Sequence, residues 1–449
     1  MSPSHVTRMT SGKILPQLVR FSVPLILGNL FQLSYNMVDT IVIGRFVGSA
    51  ALAAVGTCDQ IMTLLILGVS GVCVGASVLM GNFFGAGEEK QLLEEMKTTV
   101  SLGLLFAAVV LAAGLPLTDP IFRLMRVQPE SLADARIYMR VIFAGMPFTV
   151  LYNIYAAALR SVGDSQTPVR YLVLSTMLNM GLDLLFVAVL GMSVFGAGLA
   201  TLLAQAVSAL LCMLHVSRHE PLLHFPWRTL RINRSLAGKT LSYGGLTALQ
   251  QCAQPIGNII IQGSVNALGV TAAAAFSAAR KIEDIGLLPG RSISNAMTSF
   301  TAQNVGARDA ERTERGFRVG IGLEAVSGLA VSLVVLLLRG PLMSLFTTDG
   351  AMIAEGIRYF SIIGFCYALP CLTNGYQGYL RGTAHMVTSL LATLTQISVR
   401  VLVTLLAVGT MGIPGVGLAC VAGWSAMLLW QIPFRRHLQR RQFQEKNAG

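Results

Sequence analysis

Carboxylates and amides stand at helical spacing inside two stretches of this sequence that are otherwise apolar. In Gln32-Leu-Ser-Tyr35-Asn36-Met-Val-Asp39, the residues Gln32, Asn36 and Asp39 fall three and four apart, so they share one helix face. Asn179-Met-Gly-Leu-Asp183 repeats the pattern, an amide and an acid four residues apart, in the middle of the apolar run 171–190. An ionisable side chain at the centre of a hydrocarbon layer costs about 3 kcal/mol, so an acid kept there marks function by default. Two such acids, each beside an amide, suit a hard cation such as Na⁺, which takes oxygen ligands. A desolvated carboxyl is equally a carrier of a proton. The plain structural reading is that Asp39 and Asp183 hydrogen-bond between helices.

Further polar groups lie at comparable depth. Arg280-Lys281-Ile-Glu283-Asp284 is dense in charge for a membrane helix; these groups either pair with one another or line a cavity. Asp59 holds the matching place in the first half, and Arg400 lies near where Asp183 would be matched. Asn153 and Asn374 each precede an arginine, Arg160 and Arg381, by seven residues. With Gln32, Asn36, Gln251 and Gln254 they are candidates for a substrate cleft, or for the polar glue common between membrane helices. Tyr35, Tyr152, Phe276 and Tyr376, with Met37, either supply soft aromatic surface for flat organic cations or, as aromatics in membrane helices more often do, pack or face lipid. Arg280 and Glu283 join the cleft candidates.

The elements that must position these groups follow from composition. The chain has 449 residues, 53% hydrophobic and 12% charged, with a mean hydropathy of +0.65. That charged fraction is about half the usual soluble value, too little to cover a water-soluble chain. About twelve apolar runs reach the length of about 20 residues that crosses a bilayer. They begin near positions 16, 51, 100, 133, 171, 194, 241, 271, 319, 353, 386 and 413. None alternates like a barrel strand. The expected fold is an all-α polytopic membrane protein: an N-terminal lobe at 1–217, a basic cytoplasmic linker at 218–240, a C-terminal lobe at 241–436 and a basic cytoplasmic tail at 437–449. The net charge of +12 forms no nucleic-acid face. Lys and Arg gather in alternate loops and at Arg435, Arg436, Arg440 and Arg441, which places both termini in the cytoplasm. The first run is too long for a secretory leader and reads as a retained span.

The halves repeat. Gly48-Ser-Ala-Ala-Leu-Ala-Ala matches Gly269-Val-Thr-Ala-Ala-Ala-Ala, and Ala158-Leu-Arg160 matches Tyr379-Leu-Arg381. Gly196-Ala-Gly-Leu-Ala likewise matches Gly415-Val-Gly-Leu-Ala. Six spans per half make this a parallel repeat, about an axis along the membrane normal. The seven cysteines fall in apolar stretches without zinc or redox spacing. No nucleotide loop, zinc pair or catalytic triad stands outside the spans, so the chain is expected to be a transporter driven by a gradient or by a partner, and not an enzyme.

These residues resemble the multidrug and toxic compound extrusion (MATE) antiporters. The resemblance runs from Leu15 to Phe434 and is carried by Tyr35-Asn-Met-Val-Asp-Thr-Ile-Val-Ile-Gly44, Leu159-Arg-Ser-Val-Gly-Asp-Ser-Gln-Thr-Pro168, Asn179-Met-Gly-Leu-Asp183 and Arg280-Lys-Ile-Glu283. It implies two six-helix lobes around a cleft, with Na⁺ or H⁺ entry driving export of organic cations. The closest likeness is the prokaryotic branch with its carboxylate site in the N-terminal lobe. The coupling ion would then sit on Asp39, Asn179, Asp183 and Thr201, with a backbone contact near Ala197. Gln254 stands about where other branches keep a seventh-helix acid, so a second ion site looks missing. Pro24 matches the first-helix proline of the proton-driven members. The expected partners are the lipid bilayer and organic cations, with no nucleic acid and no cofactor beyond the ion. The expected state is a monomer in the bacterial inner membrane. The alternative is a flippase for lipid-linked precursors, which would use Arg280, Lys281, Arg291 and Arg400 to hold phosphates.

Overall fold

The structure is a computed structural model that describes residues 8–448, apart from the side chains of 35–37 and 440–448. The described residues are helical almost throughout and contain no strand. The first half forms α1 (Ile14–Phe46), α2 (Ser49–Ala86), α3 (Glu89–Leu124), α4 (Pro129–Ser161), α5 (Gln166–Asp183) and α6 (Ser193–His219). The second forms α7 (Arg234–Asn266), α8 (Val270–Gly286), α9 (Leu288–Gly306), α10 (Ala310–Ser344), α11 (Gly350–Ile363), α12 (Ala368–Gly382), α13 (Met386–Met411) and α14 (Ile413–Ala448).

Nine of these helices are long and apolar enough to cross a membrane, or ten if the bent α11–α12 pair is one span. The seventh and eighth expected spans are α7 and the α8–α9 pair. They are long but polar, because α7 carries Gln250, Gln251, Gln254 and Asn258, and α8 carries Arg280 to Asp284. Counting them returns the twelve crossings. Two expected spans are broken. The run from 271 divides at Leu287, just before Pro289, whose missing N–H is harmless at a helix start. The run from 353 bends by 50° where a 3₁₀ turn, Gly364–Cys366, separates α11 from α12. Large apolar side chains such as Leu406 and Leu429 point outward, 71% and 76% exposed. Glu324, Gln377 and Arg400 are buried. This inversion is what a lipid solvent selects.

The chain divides into two compact units, 1–8 with 27–248 and 9–26 with 249–449. Helices α1 and α7 therefore contribute to both. In the first unit α4 packs against α2, α3 and α6. Helix α2 meets the start of α7 at backbone distance: a Cβ on Gly71 would lie 2.3 Å from Ala248 Cα, and one on Gly75 would lie 2.4 Å from Gly244 N. Gly71 and Gly75 thus form a small-residue stripe facing another, Gly244 and Ala248. The basic stretch after α6 is tied to α3, where Arg231 bridges Glu94 at 2.8 Å and Thr240 donates to Glu95 at 2.6 Å.

In the second unit α9 packs on α10 and α12, and α13 on α14. Arg312 clamps the segment ahead of α1, donating to the carbonyls of Met9, Ser11 and Gly12 and to Gln17 Oε1.

The repeat is visible in the backbone. Eight of the eleven described residues with positive φ fall in pairs: Gly48 with Gly269, Gly87 with Arg308, Gly163 with Ala384, and Gly191 with Gly412. In every pair the second residue follows the first by 221 positions. This count corrects one sequence match. Arg400 falls opposite Asn179, and Thr404 opposite Asp183, whereas Arg280 does fall opposite Asp59.

Candidate cation-coupling site

The first-unit site is built on three helices. Asp39 comes from α1, Asn179 and Asp183 from one face of α5, and Ala197 and Thr201 from one face of α6. Helix α5 packs directly on α6. The turn at 190–192 joins them, so Asp183, seven residues before it, reaches the depth of Ala197 and Thr201 just after it. Helix α1 meets α5 closely at Gly28, where a Cβ would lie 3.0 Å from Val169. From that contact both helices rise to their acids, Asp39 eleven residues on and Asp183 fourteen. At 1.5 Å per residue the acids reach similar heights. They are close enough to repel when both are charged, and Asp59 adds its charge to Asp39.

Immediately after Asp183, α5 widens into a π-helical turn, Leu184–Val189. Such insertions recur at functional sites because they re-aim neighbouring side chains and loosen local backbone bonding.

Burial is nearly complete: Asp183 is 0% exposed, Asn179 3% and Asp39 8%. Ala197 is buried and Thr201 half-buried. Asp39 Oδ1, both carboxylate oxygens of Asp183, and both side-chain polar atoms of Asn179 have no hydrogen-bond partner. Among the described residues, Asp39 Oδ1 and both Asp183 oxygens make none of the interhelical hydrogen bonds that the plain reading asks for. Buried carboxylates left this way are costly unless a cation or proton joins them.

The cleft candidates scatter. Gln32 is exposed, and the side chains of Tyr35, Asn36 and Met37 lie outside the described residues. Asn153 donates to Thr149 O of its own helix at 2.8 Å, and Tyr152 to Pro168 O at 3.1 Å. Gln251 is half-buried, and Gln254 donates to Gln396 Oε1 at 3.2 Å. The backbone oxygen of Asn374 accepts from Ser294 at 2.6 Å. Phe276 fits the packing alternative: it is 1% exposed and stacks edge-on with Tyr359. It fills the second unit's core instead of lining a cleft.

Arg280 and Glu283 belong to a buried polar node. Arg280 and Arg400 both donate to Asn258 Oδ1, and the Glu283 carboxylate accepts from the hydroxyls of Tyr359 and Tyr367. The neighbouring Asp284 instead pairs with Arg291 at 2.9 Å. Sequence reasoning missed Glu324 of α10, 0% exposed with both carboxylate oxygens unpartnered. The rule that singled out Asp39, an acid in an apolar run, applies to it equally.

Comparison with known proteins decides the family. The MatE family profile matches residues 24–185 and 247–406. The chain belongs to the MatE family. A relative from Bacillus subtilis, "Probable multidrug resistance protein YoeA", is 29% identical over 382 residues, covering 82% of each chain. A "FAD transporter" from Shewanella oneidensis is 27% identical, covering 79% of this chain and 78% of its own. A solved structure described as an outward-facing multidrug resistance MATE family transporter of the MOP superfamily superposes with a TM-score of 0.92. It is 24% identical, with 99% of this chain and 100% of that chain covered, which establishes the fold. As a MatE protein, the chain is a multi-span membrane transporter and not an enzyme.

Proposed function

We propose that this MatE protein exports cationic, amphipathic small molecules in exchange for Na⁺ or H⁺, with the ion held by Asp39, Asn179 and Asp183. Thr201 and the backbone near Ala197 complete that ion's surroundings. The observation that carries the reading is the set of five buried, unpartnered polar atoms on those three residues. An incoming cation relieves the repulsion between the acids, and its departure restores it. That difference in free energy between loaded and unloaded states is what biases a two-state transporter. We place the protein in a bacterial inner membrane with both termini cytoplasmic, working as a monomer. The halves are read as lobes at 1–217 and 241–436, joined by the basic linker at 218–240.

The test is ethidium movement in proteoliposomes, with Na⁺ and pH gradients imposed separately. Wild-type movement under one gradient, lost in both Asp39→Asn and Asp183→Asn, supports the site and names the ion. Normal gradient-driven movement in Asp183→Asn defeats it.

A second reading takes an anionic cargo, a lipid-linked precursor or a flat phosphate-bearing cofactor of the kind the Shewanella relative is named for. The second unit's arginines favour it. Two facts count against it: Arg291 is already paired with Asp284, and Arg280 and Arg400 are engaged by Asn258 beside Glu283. FAD movement in the same vesicles, with ethidium inert, would reverse the preference.

A further inference from the structure

A second cluster of ligand-type side chains lies in the first unit, away from Asp39 and Asp183. Asp164 sits in the short turn between α4 and α5, His215 on the last turn of α6, and Glu220 at the residue that ends α6. One ligand atom from each, two carboxylate oxygens and a ring nitrogen, lies within 4.8 Å of the others. Local structure brings them together. Glu220 leaves the helix with φ −125° and ψ 76°, which turns its side chain off the helical path. Asp164 uses one oxygen, Oδ1, to accept from the backbone N–H of Gln166 and Thr167 at 3.0 Å each, fastening the start of α5.

The remaining oxygens are the informative ones. Asp164 is 2% exposed and Glu220 3% exposed, and Asp164 Oδ2 and Glu220 Oε1 have no hydrogen-bond partner. Leaving two anionic oxygens buried and unsatisfied is among the costlier things a fold can do. His215 is oriented from outside the cluster: its Nδ1 lies 3.3 Å from the Tyr171 hydroxyl, and the Tyr171 ring meets its ring edge-on. A histidine whose ring is fixed by an oxygen partner, facing two carboxylates, is the arrangement that metal sites use to set ring orientation.

We propose that Asp164, His215 and Glu220 form a binding site for a divalent transition-metal ion, Zn²⁺ being the best match. One nitrogen and two carboxylate oxygens are a donor set Zn²⁺ accepts, with water completing the shell. The 4.8 Å limit exceeds the separation of about 3.4 Å between ligands of a tetrahedral zinc, so the side chains close by rotamer adjustment of about 1 Å on binding. The ion would clamp the end of α6 to the α4–α5 turn, where the chain leaves the first six helices for the basic stretch. The site is not duplicated: His385 stands 221 residues after Asp164, and the last helix carries Arg435 and Arg436 where its chain turns polar.

The test uses the full chain in detergent, without a histidine tag, stripped by chelator and titrated with Zn²⁺ and with Co²⁺. Wild type is expected to bind one ion per chain, to melt at a higher temperature with Zn²⁺, and to give Co²⁺ the intensified visible bands of low-coordinate N/O ligation. His215→Ala and the isosteric Glu220→Gln should abolish these signals. Asp164→Asn keeps an oxygen for the α5 amides, so it separates loss of the ion from loss of the cap. Tyr171→Phe should weaken binding by about tenfold or more as a positioning residue. Wild type that binds no metal above the stripped blank overturns the proposal and leaves a shared proton as what joins the acids. Binding that persists in both His215→Ala and Glu220→Gln overturns it as well, by placing the metal elsewhere.

Discussion

Arg280 and Arg400 donate to one oxygen, Asn258 Oδ1, over 2.9 and 3.2 Å. Two guanidinium groups on a single amide oxygen repel unless an anion stands nearby, and Glu283 is that anion. Tyr359 and Tyr367 hold its carboxylate at 3.1 and 3.3 Å. By the 221-residue count, Arg280 replaces Asp59 and Arg400 replaces Asn179. At these two positions the first unit has an acid and an amide where the second has arginines, which supports placing the proposed cation in the first unit.

That arrangement gives a stability prediction. Glu283→Ala strands the buried Arg400 and the half-buried Arg280 and should lower stability by about 3 kcal/mol. Tyr359→Phe removes one hydroxyl and should cost about 1–2 kcal/mol. Thermal unfolding in detergent reads both. A Glu283→Ala protein that melts like wild type would show the node to be dispensable for folding.

Thr201 separates the two coupling ions. A hydroxyl oxygen is a direct ligand for Na⁺, whereas to a proton covalently held by Asp183 it can offer only a hydrogen bond. Thr201→Ala should therefore raise the half-saturating Na⁺ concentration about fivefold, the worth of about 1 kcal/mol. Under proton coupling the same variant should leave the Na⁺ series flat and at most shift the pH dependence of transport to lower pH. Initial rates across a Na⁺ series and a pH series distinguish the two.

Most of the fold is written in the sequence, because a bilayer allows few choices: a run of about 20 apolar residues must be a helix. Asp39, Asn179 and Asp183 were legible for the same reason, as polar exceptions in apolar runs at helical spacing. The breaks at Leu287 and at 364–367 lie near Pro289 and Pro370, but a proline marks a weak point without saying whether the helix bends there. Phe276 stayed open between packing and lining because periodicity gives the face of a helix, not what that face meets. Asp164, His215 and Glu220 escaped notice because their spacings, 51 and five residues, match no local motif. Only the packing of α4, α5 and α6 assembles them.

The α2–α7 crossing depends on having no side chain at two positions. Gly75→Val would drive its Cβ into the Gly244 backbone, 2.4 Å away, and backbone cannot yield as a side chain can. The helices must separate, at a cost of about 1–3 kcal/mol. Gly68 on the same helix faces open space, so Gly68→Ala should be neutral or mildly stabilising through its better helix propensity. Unfolding of the two variants side by side tests the contact. Equal stability would show that the stripe does not set the approach.

Arg312 reaches four acceptors at once. Its Nε donates to Met9 O at 2.9 Å, Nη1 to Gly12 O at 2.8 Å, and Nη2 to Ser11 O and Gln17 Oε1 at 2.9 and 3.0 Å. The segment 9–12 is also held by Gln303, which accepts from Met9 N at 2.8 Å. A lysine at 312 keeps the charge but offers a single point donor in place of a planar fork. Arg312→Lys should therefore free two or more of these acceptors and speed amide exchange across 9–12 by about tenfold, for a loss of about 1.4 kcal/mol. Exchange in α9 and α10, whose own bonds are untouched, should stay at wild-type rates. Faster exchange spread over the whole second unit would mean that Arg312 supports the fold at large, and no change at 9–12 would mean that Gln303, with Asn304 donating to Met9 O at 3.2 Å, suffices to hold the segment.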